Sequence, residues 1–100
     1  MPRKTDIAIK KLQEFPDALF KVTITRRDGT RTDHTVSLNE QYYKQLTNGV
    51  VLPDRLMRES FLFLLEREPQ QSIFTTFDLP VISRYFPEYE QVLQTRITHI

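Results

Sequence analysis

The chain has no cysteine and no tryptophan, only two glycines and two histidines, and no long apolar run. Each shortage removes a class of function. Without cysteine there is no disulfide framework, no thiolate metal site and no thiol nucleophile, a usage that agrees with a reducing, cytoplasmic setting. With Gly29 and Gly49 as its only glycines, the chain cannot form a glycine-rich loop that cradles phosphate. The histidines, His34 and His99, make no His-x-x-x-His pair of the kind a helical zinc site uses. The longest apolar run, Phe61 to Leu65, has five residues, against the roughly 20 needed to span a bilayer as a helix. The N-terminal stretch MPRKTDIAIKK is basic but lacks the apolar segment of a signal peptide.

Charge of one sign is also scarce, since the net charge is +1. Its distribution is uneven. Residues 1–31 carry eight Lys/Arg against four Asp/Glu, and residues 32–100 carry six against nine. A basic N-terminal third can meet nucleic acid or an acidic partner, although solvated lysines and arginines on outer faces give the same count.

What is present reads as one α+β domain over residues 5–100, preceded by a flexible tail at 1–4. Thr5 can cap a short helix in which Ala8, Ile9, Leu12 and Phe15 recur near helical spacing, ended by Pro16; Ile7 and Ile9 also alternate as in a strand. The strongest local signal is a β-hairpin at about 18–26 and 30–37. Phe20, Val22 and Ile24 alternate with polar residues, and Thr32, His34, Val36 and Leu38 do the same beyond Asp28-Gly29. A two-residue loop would mix the two faces. A three-residue loop, Arg27-Asp28-Gly29, pairs Ile24 with Thr32, Val22 with His34 and Phe20 with Val36, with Gly29 left-handed. Ser37 and Glu40 fit a capping box for a helix to about Asn48, and Asn48-Gly49 fits its stop. Pro53 opens a helix over 53–67 whose apolar residues cover most of its circumference, so it is predicted to be central. Ser72 and Asp78 are candidate caps of short turns, and Pro87 can start a last helix. The expected fold is therefore one hairpin packed against four to six helices.

Candidate chemistry is thin. Asp33, His34 and Ser37 contain the residue types of a catalytic triad, but strand neighbours point to opposite faces. Glu66, Glu68, Glu88 and Glu90 offer carboxylates with no other mark of a cleft. No enzyme, metal or cofactor is implied. Two surfaces remain as candidates. Lys21, Arg26, Arg27, Arg31 and Thr35 could contact nucleic acid or a partner, and Tyr42, Tyr85 and Tyr89, within QYYK and RYFPEYE, could form an aromatic partner surface. A hairpin also leaves strand edges open, which points to a homodimer through residues 31–37 or 19–25.

The segment HTVSLNEQYYKQLTNGVVLPDRLMRESFLFLLE resembles the ribbon-helix-helix family over residues 31–66. The resemblance implies a dimer whose paired strands place Arg31, Asp33, Thr35 and Ser37 in the major groove of DNA. ESFLFLLEREPQQSI with FDLPVISRYFPEYE resembles a group of short bacterial proteins over residues 20 to about 90, which implies a bacterial origin and a compact domain but no activity. The expected function is a small non-catalytic binding or regulatory module acting through a protein partner, with DNA binding as the alternative and an enzyme of unknown type as a third reading.

Overall fold

The computed structural model describes residues 5–98, and the tail expected at 1–4 lies outside them. The chain runs β1 (Thr5–Gln13), β2 (Asp17–Arg26), β3 (Arg31–Asn39), α1 (Glu40–Thr47), α2 (Pro53–Leu65), a single 3₁₀ turn (Gln70–Ser72), β4 (Thr76–Asp78), α3 (Val81–Tyr85) and α4 (Tyr89–Thr98). The strands form one four-stranded sheet in the order β1-β2-β3-β4. This corrects the expected architecture. A four-stranded sheet with four helices replaces a hairpin surrounded by four to six helices, and the 53–67 segment is not a central helix.

The first correction is β1. The stretch expected to be helical pairs antiparallel with β2, with Ile7 opposite Ile24 and Ile9 opposite Val22. The period-two pattern prevails because β2 presents a row of apolar residues that a strand can join, and β-branched Ile7 and Ile9 suit a pleated surface. Leu12, which a helical stripe would bury, stays 47% exposed. The regular pairing ends in a bulge between Lys11 and Gln13. The chain returns through Glu14–Pro16, where the Phe15–Pro16 bond is cis, and Phe15 stacks on Tyr43 with centroids 5.2 Å apart.

The β2–β3 hairpin has the register that its turn chemistry demands. Ile24 faces Thr32, Val22 faces His34 and Phe20 faces Val36. The Gly29 amide donates to the Arg26 carbonyl (2.9 Å), the Arg26 amide donates to the Thr30 carbonyl (2.8 Å), and Gly29 has φ +93°. Its left-handed backbone lets a three-residue loop match the strand twist. Asp28 braces the turn by accepting from the Thr30 amide at 2.9 Å, and that bond holds its carboxyl below the ordinary range.

Strand β3 continues past Ser37 to Asn39, which pairs with Asp17. The cap of α1 is therefore Asn39, whose side chain accepts from the Gln41 and Tyr42 amides, in place of the expected Ser37–Glu40 box. Ser37 is committed to the sheet, where its carbonyl accepts from the Leu79 amide at 3.0 Å. Left-handed Asn48 (φ 55°) ends α1. After α2 the chain crosses back so that β4 lies parallel to β3, with Val36 opposite Phe77. A parallel pair needs a long crossover, which α1 and α2 supply.

Strand alternation sorts the sheet into two faces. Phe20, Val22, Ile24, Val36 and Leu38 share one buried core with Leu56, Met57, Phe61 and Phe63 of α2 and Tyr89 and Leu93 of α4. Asp6, Ala8, Lys10, Lys21, Arg31 and Asp33 are exposed on the other face. The result is two layers, with helices on one side of the sheet and solvent on the other. Among the described residues no helix is long and apolar enough to cross a membrane.

Candidate partner-binding groove

An apolar recess lies between the end of α2, β4 and α3. Leu64 at the end of α2, Ile73, Phe77 on β4, and Ile82 and Phe86 around α3 line its floor, with Phe74 and Tyr85 at the mouth. Its volume is about 140 Å³, near that of an apolar cavity of about 150 Å³ known to accept a benzene-sized guest. Phe74 is 50% and Tyr85 63% exposed. Their rings meet edge to face at 5.6 Å and 68°, and Phe74 meets Phe77 at 6.4 Å and 64°. Water thus touches two large rings that already hold each other in an edge-on arrangement favoured by the aromatic quadrupole.

The mouth is fixed from below by a buried polar chain. Gln70, fully buried, donates through Nε2 to the Ile24 carbonyl (2.9 Å) and to Thr32 Oγ1 (2.8 Å). Thr32 Oγ1 lies 2.9 Å from His34 Nε2, and His34 Nδ1 lies 2.7 Å from the Phe74 carbonyl. A carbonyl only accepts, so the proton of this contact sits on Nδ1, and Nε2 accepts from the Thr32 hydroxyl. His34 is buried on the apolar face, as its alternation predicts, and its ring tilts against Phe61 at 5.4 Å. Its place is to clamp the loop that carries Phe74. Gln70 Oε1 is the buried side-chain polar atom without a partner among the described residues.

Of the charged residues around the end of α2, only Glu68 lines the recess; its neighbours are paired among themselves. Arg67 stacks on Phe63 with its guanidinium carbon 3.6 Å from the ring centroid, and it pairs with Glu88 (3.0 Å) and Glu66 (3.2 Å). Arg96 also reaches Glu66 at 2.6 Å. The Arg96 hydrogen bond, aided by Arg67, holds the Glu66 carboxyl below its ordinary range, and Glu88 is lowered by its own backbone amide and by Arg67. Glu68, which lines the recess, has no such compensation. Its side chain makes no hydrogen bond or ion pair among the described residues, and partial burial raises its carboxyl above the ordinary value. The site is an apolar socket with aromatic lips and one unpaired acid.

Of the three tyrosines expected at a partner surface, only Tyr85 borders the recess. Tyr89 is fully buried, with its hydroxyl 2.7 Å from Ser60 Oγ, because α4 turns that position toward α2. Tyr42 is half-buried and donates to Glu90 at 2.8 Å, tying α1 to α4; burial, and then that bond, push its phenol well up. Phe74 was not singled out in the sequence. Nothing in the sequence separates Phe74 from Ile73 and Phe77, which share its expected turn; only the structure leaves Phe74 exposed and Ile73 buried.

The basic set is divided. Lys21 and Thr35 are cross-strand partners on the open face of the sheet. Arg31 shares that face but pairs with Asp33 at 3.5 Å. Asp33 also accepts from Thr23 at 2.7 Å, and that bond holds its carboxyl low. Arg26 turns toward the segment Glu66–Gln70, and Arg27 stays in the turn. Strand β2 is paired on both sides, and β3 is paired with β2 and, over Thr35–Ser37, with β4. Pairing of either strand with a second copy, as the dimer through 31–37 or 19–25 required, is thereby blocked along β2 and at the centre of β3. Among the described residues no group of three or more His, Cys, Asp or Glu could hold a metal ion. No family model, no curated protein and no solved structure matches the chain. The fold and the recess define a class, a small two-layer α+β domain with an aromatic-lipped groove.

Proposed function

We propose that this protein is a non-catalytic binding module whose groove takes one large apolar side chain of a partner protein, with a lysine or arginine of that partner beside it. The observation that carries the reading is the pair of exposed, mutually oriented rings, Phe74 and Tyr85, over an apolar recess. Rigid aromatic lips around a pre-formed pocket are what interface anchors dock into, because little conformational freedom is lost on binding. Glu68 supplies the charge preference. A partly buried carboxylate without a counter-ion gains most from a cation brought to it.

Selection of a random peptide library on the immobilised protein tests this. Peptides enriched on the wild type should carry a Leu, Met or Phe within a few residues of Lys or Arg. They should lose binding to Phe74→Ser/Tyr85→Ala, and Glu68→Gln should weaken the basic preference while keeping the apolar one. No enrichment over the double variant would refute the groove as the binding site.

A further inference from the structure

A second surface lies at the opposite side of the sheet. Among the described residues, strand β1 is paired along one side only, with β2. The Ile7 carbonyl points to the free side, where Arg58 Nη1 donates to it at 2.9 Å. By strand alternation the amides and carbonyls of Thr5, Ile7, Ile9 and Lys11 make up the open edge. We propose that two copies of this chain pair through this edge, antiparallel about a two-fold axis at Ala8, so that their sheets become one.

The register follows from the residues. The regular stretch of β1 is Thr5–Lys11, ended by the bulge that follows Lys11, and its midpoint is Ala8. Antiparallel pairing about Ala8 sets Ile7 against Ile9 of the second copy on the buried face. On the open face it sets Asp6 against Lys10 of the second copy, and the two-fold axis makes each of these pairings twice. Neither Asp6 nor Lys10 has an ion-pair partner among the described residues. Within one copy Lys10 instead faces Lys21, and Asp6 faces Thr25. Like charges directly opposite on a sheet repel, so the second copy's Asp6 brings the missing counter-charge to the Lys10–Lys21 pair. Ala8 falls at a non-hydrogen-bonded position of the new ladder, where backbones approach to about 4.5 Å and a small side chain fits.

Other registers lose this match. An axis at Lys10 puts lysine on lysine, and an axis at Ile9 puts Lys11 against Ile7 and Lys10 against Ala8. Lysines and a bulge ordinarily guard an edge against indiscriminate pairing. Here they leave one register in which both charges of β1 on the open face, Asp6 and Lys10, find their opposites. Arg58 approaches from the helical side, and a carbonyl can accept two hydrogen bonds, so its contact with Ile7 is compatible with the new ladder.

Sedimentation equilibrium at high micromolar concentration, with charge swaps, tests the proposal. The wild type should dimerise. Asp6→Lys and Lys10→Asp should each weaken the dimer by about tenfold or more, since two exposed pairs become two repulsions. The combined Asp6→Lys/Lys10→Asp variant should restore it. Because the chain has no cysteine, Ala8→Cys introduces a unique thiol at the axis. It should oxidise to a disulfide-linked dimer, as a Cα separation near 4.5 Å allows, whereas Thr23→Cys in the paired interior of the same face should not. All these positions lie on the open face of the sheet, and circular dichroism of each variant verifies the fold. A monomeric wild type, a dimer without rescue, or equal cross-linking at Ala8→Cys and Thr23→Cys would overturn the proposal.

Discussion

The contact between Ser60 and Tyr89 makes a prediction whose asymmetry can be worked from geometry. Both residues are fully buried. Ser60 Oγ donates to the Leu56 carbonyl at 2.7 Å, and the Tyr89 hydroxyl lies 2.7 Å from the same oxygen. Ser60 has one proton and has given it to Leu56, so Tyr89 must be the donor to Ser60. Burial pushes the phenol above its ordinary value, which keeps that proton in place. Tyr89→Phe then removes a donor from an oxygen that still has a partner, at a cost of about 1 kcal/mol. Ser60→Ala leaves the tyrosine hydroxyl buried with no acceptor, at a cost of about 1–3 kcal/mol, even though alanine favours the helix by a few tenths. The double variant removes both groups, so its loss should fall below the sum of the singles by about 1–2 kcal/mol. Thermal unfolding resolves these differences, since 1 kcal/mol moves the midpoint by about 4–8 °C in a domain of this size. Ser60→Ala milder than Tyr89→Phe, or strict additivity, would refute the assignment of donor and acceptor.

The turn and the groove give further tests. Gly29→Val should destabilise by on the order of 1 kcal/mol or more; open space surrounds the position, so the loss comes from backbone strain at φ +93° and should be read in urea midpoints with an unchanged slope. Glu68→Gln should raise the melting midpoint at neutral pH. A carboxyl raised in the folded state is held there against its tendency to ionise, so stability falls as pH rises through the carboxylate range. The gain over wild type should vanish once both folded and unfolded carboxyls are protonated, and a gain that persists at low pH would show another cause.

Several elements were legible in the sequence because their determinants are local. The β2–β3 register follows from matching apolar faces around Asp28-Gly29, and the burial of His34 follows from its parity with Val36 and Leu38. The end of α1 at Asn48-Gly49 and the start of α2 at Pro53 follow from backbone chemistry within a few residues. The bounds of β1 and β4, the sheet order and the groove are non-local. Residues 5–13 satisfy a helical pattern and a strand pattern at once, and β2 decides between them by offering a partner. Thr76–Asp78 is too short to signal a strand by itself and becomes one only where the chain returns beside β3. Tyr85 and Tyr89 stand four residues apart in one motif. One is exposed and the other buried, because a break at Phe86 separates α3 from α4 and sets the second tyrosine against α2. The sequence by itself determined the hairpin turn, the stop of α1, the start of α2 and face parity, since these depend on neighbours along the chain; the cap of α1 moved from Ser37 to Asn39 because β3 runs on beside β2. The tertiary structure alone decided which faces meet, because burial of an apolar surface is set by what packs against it.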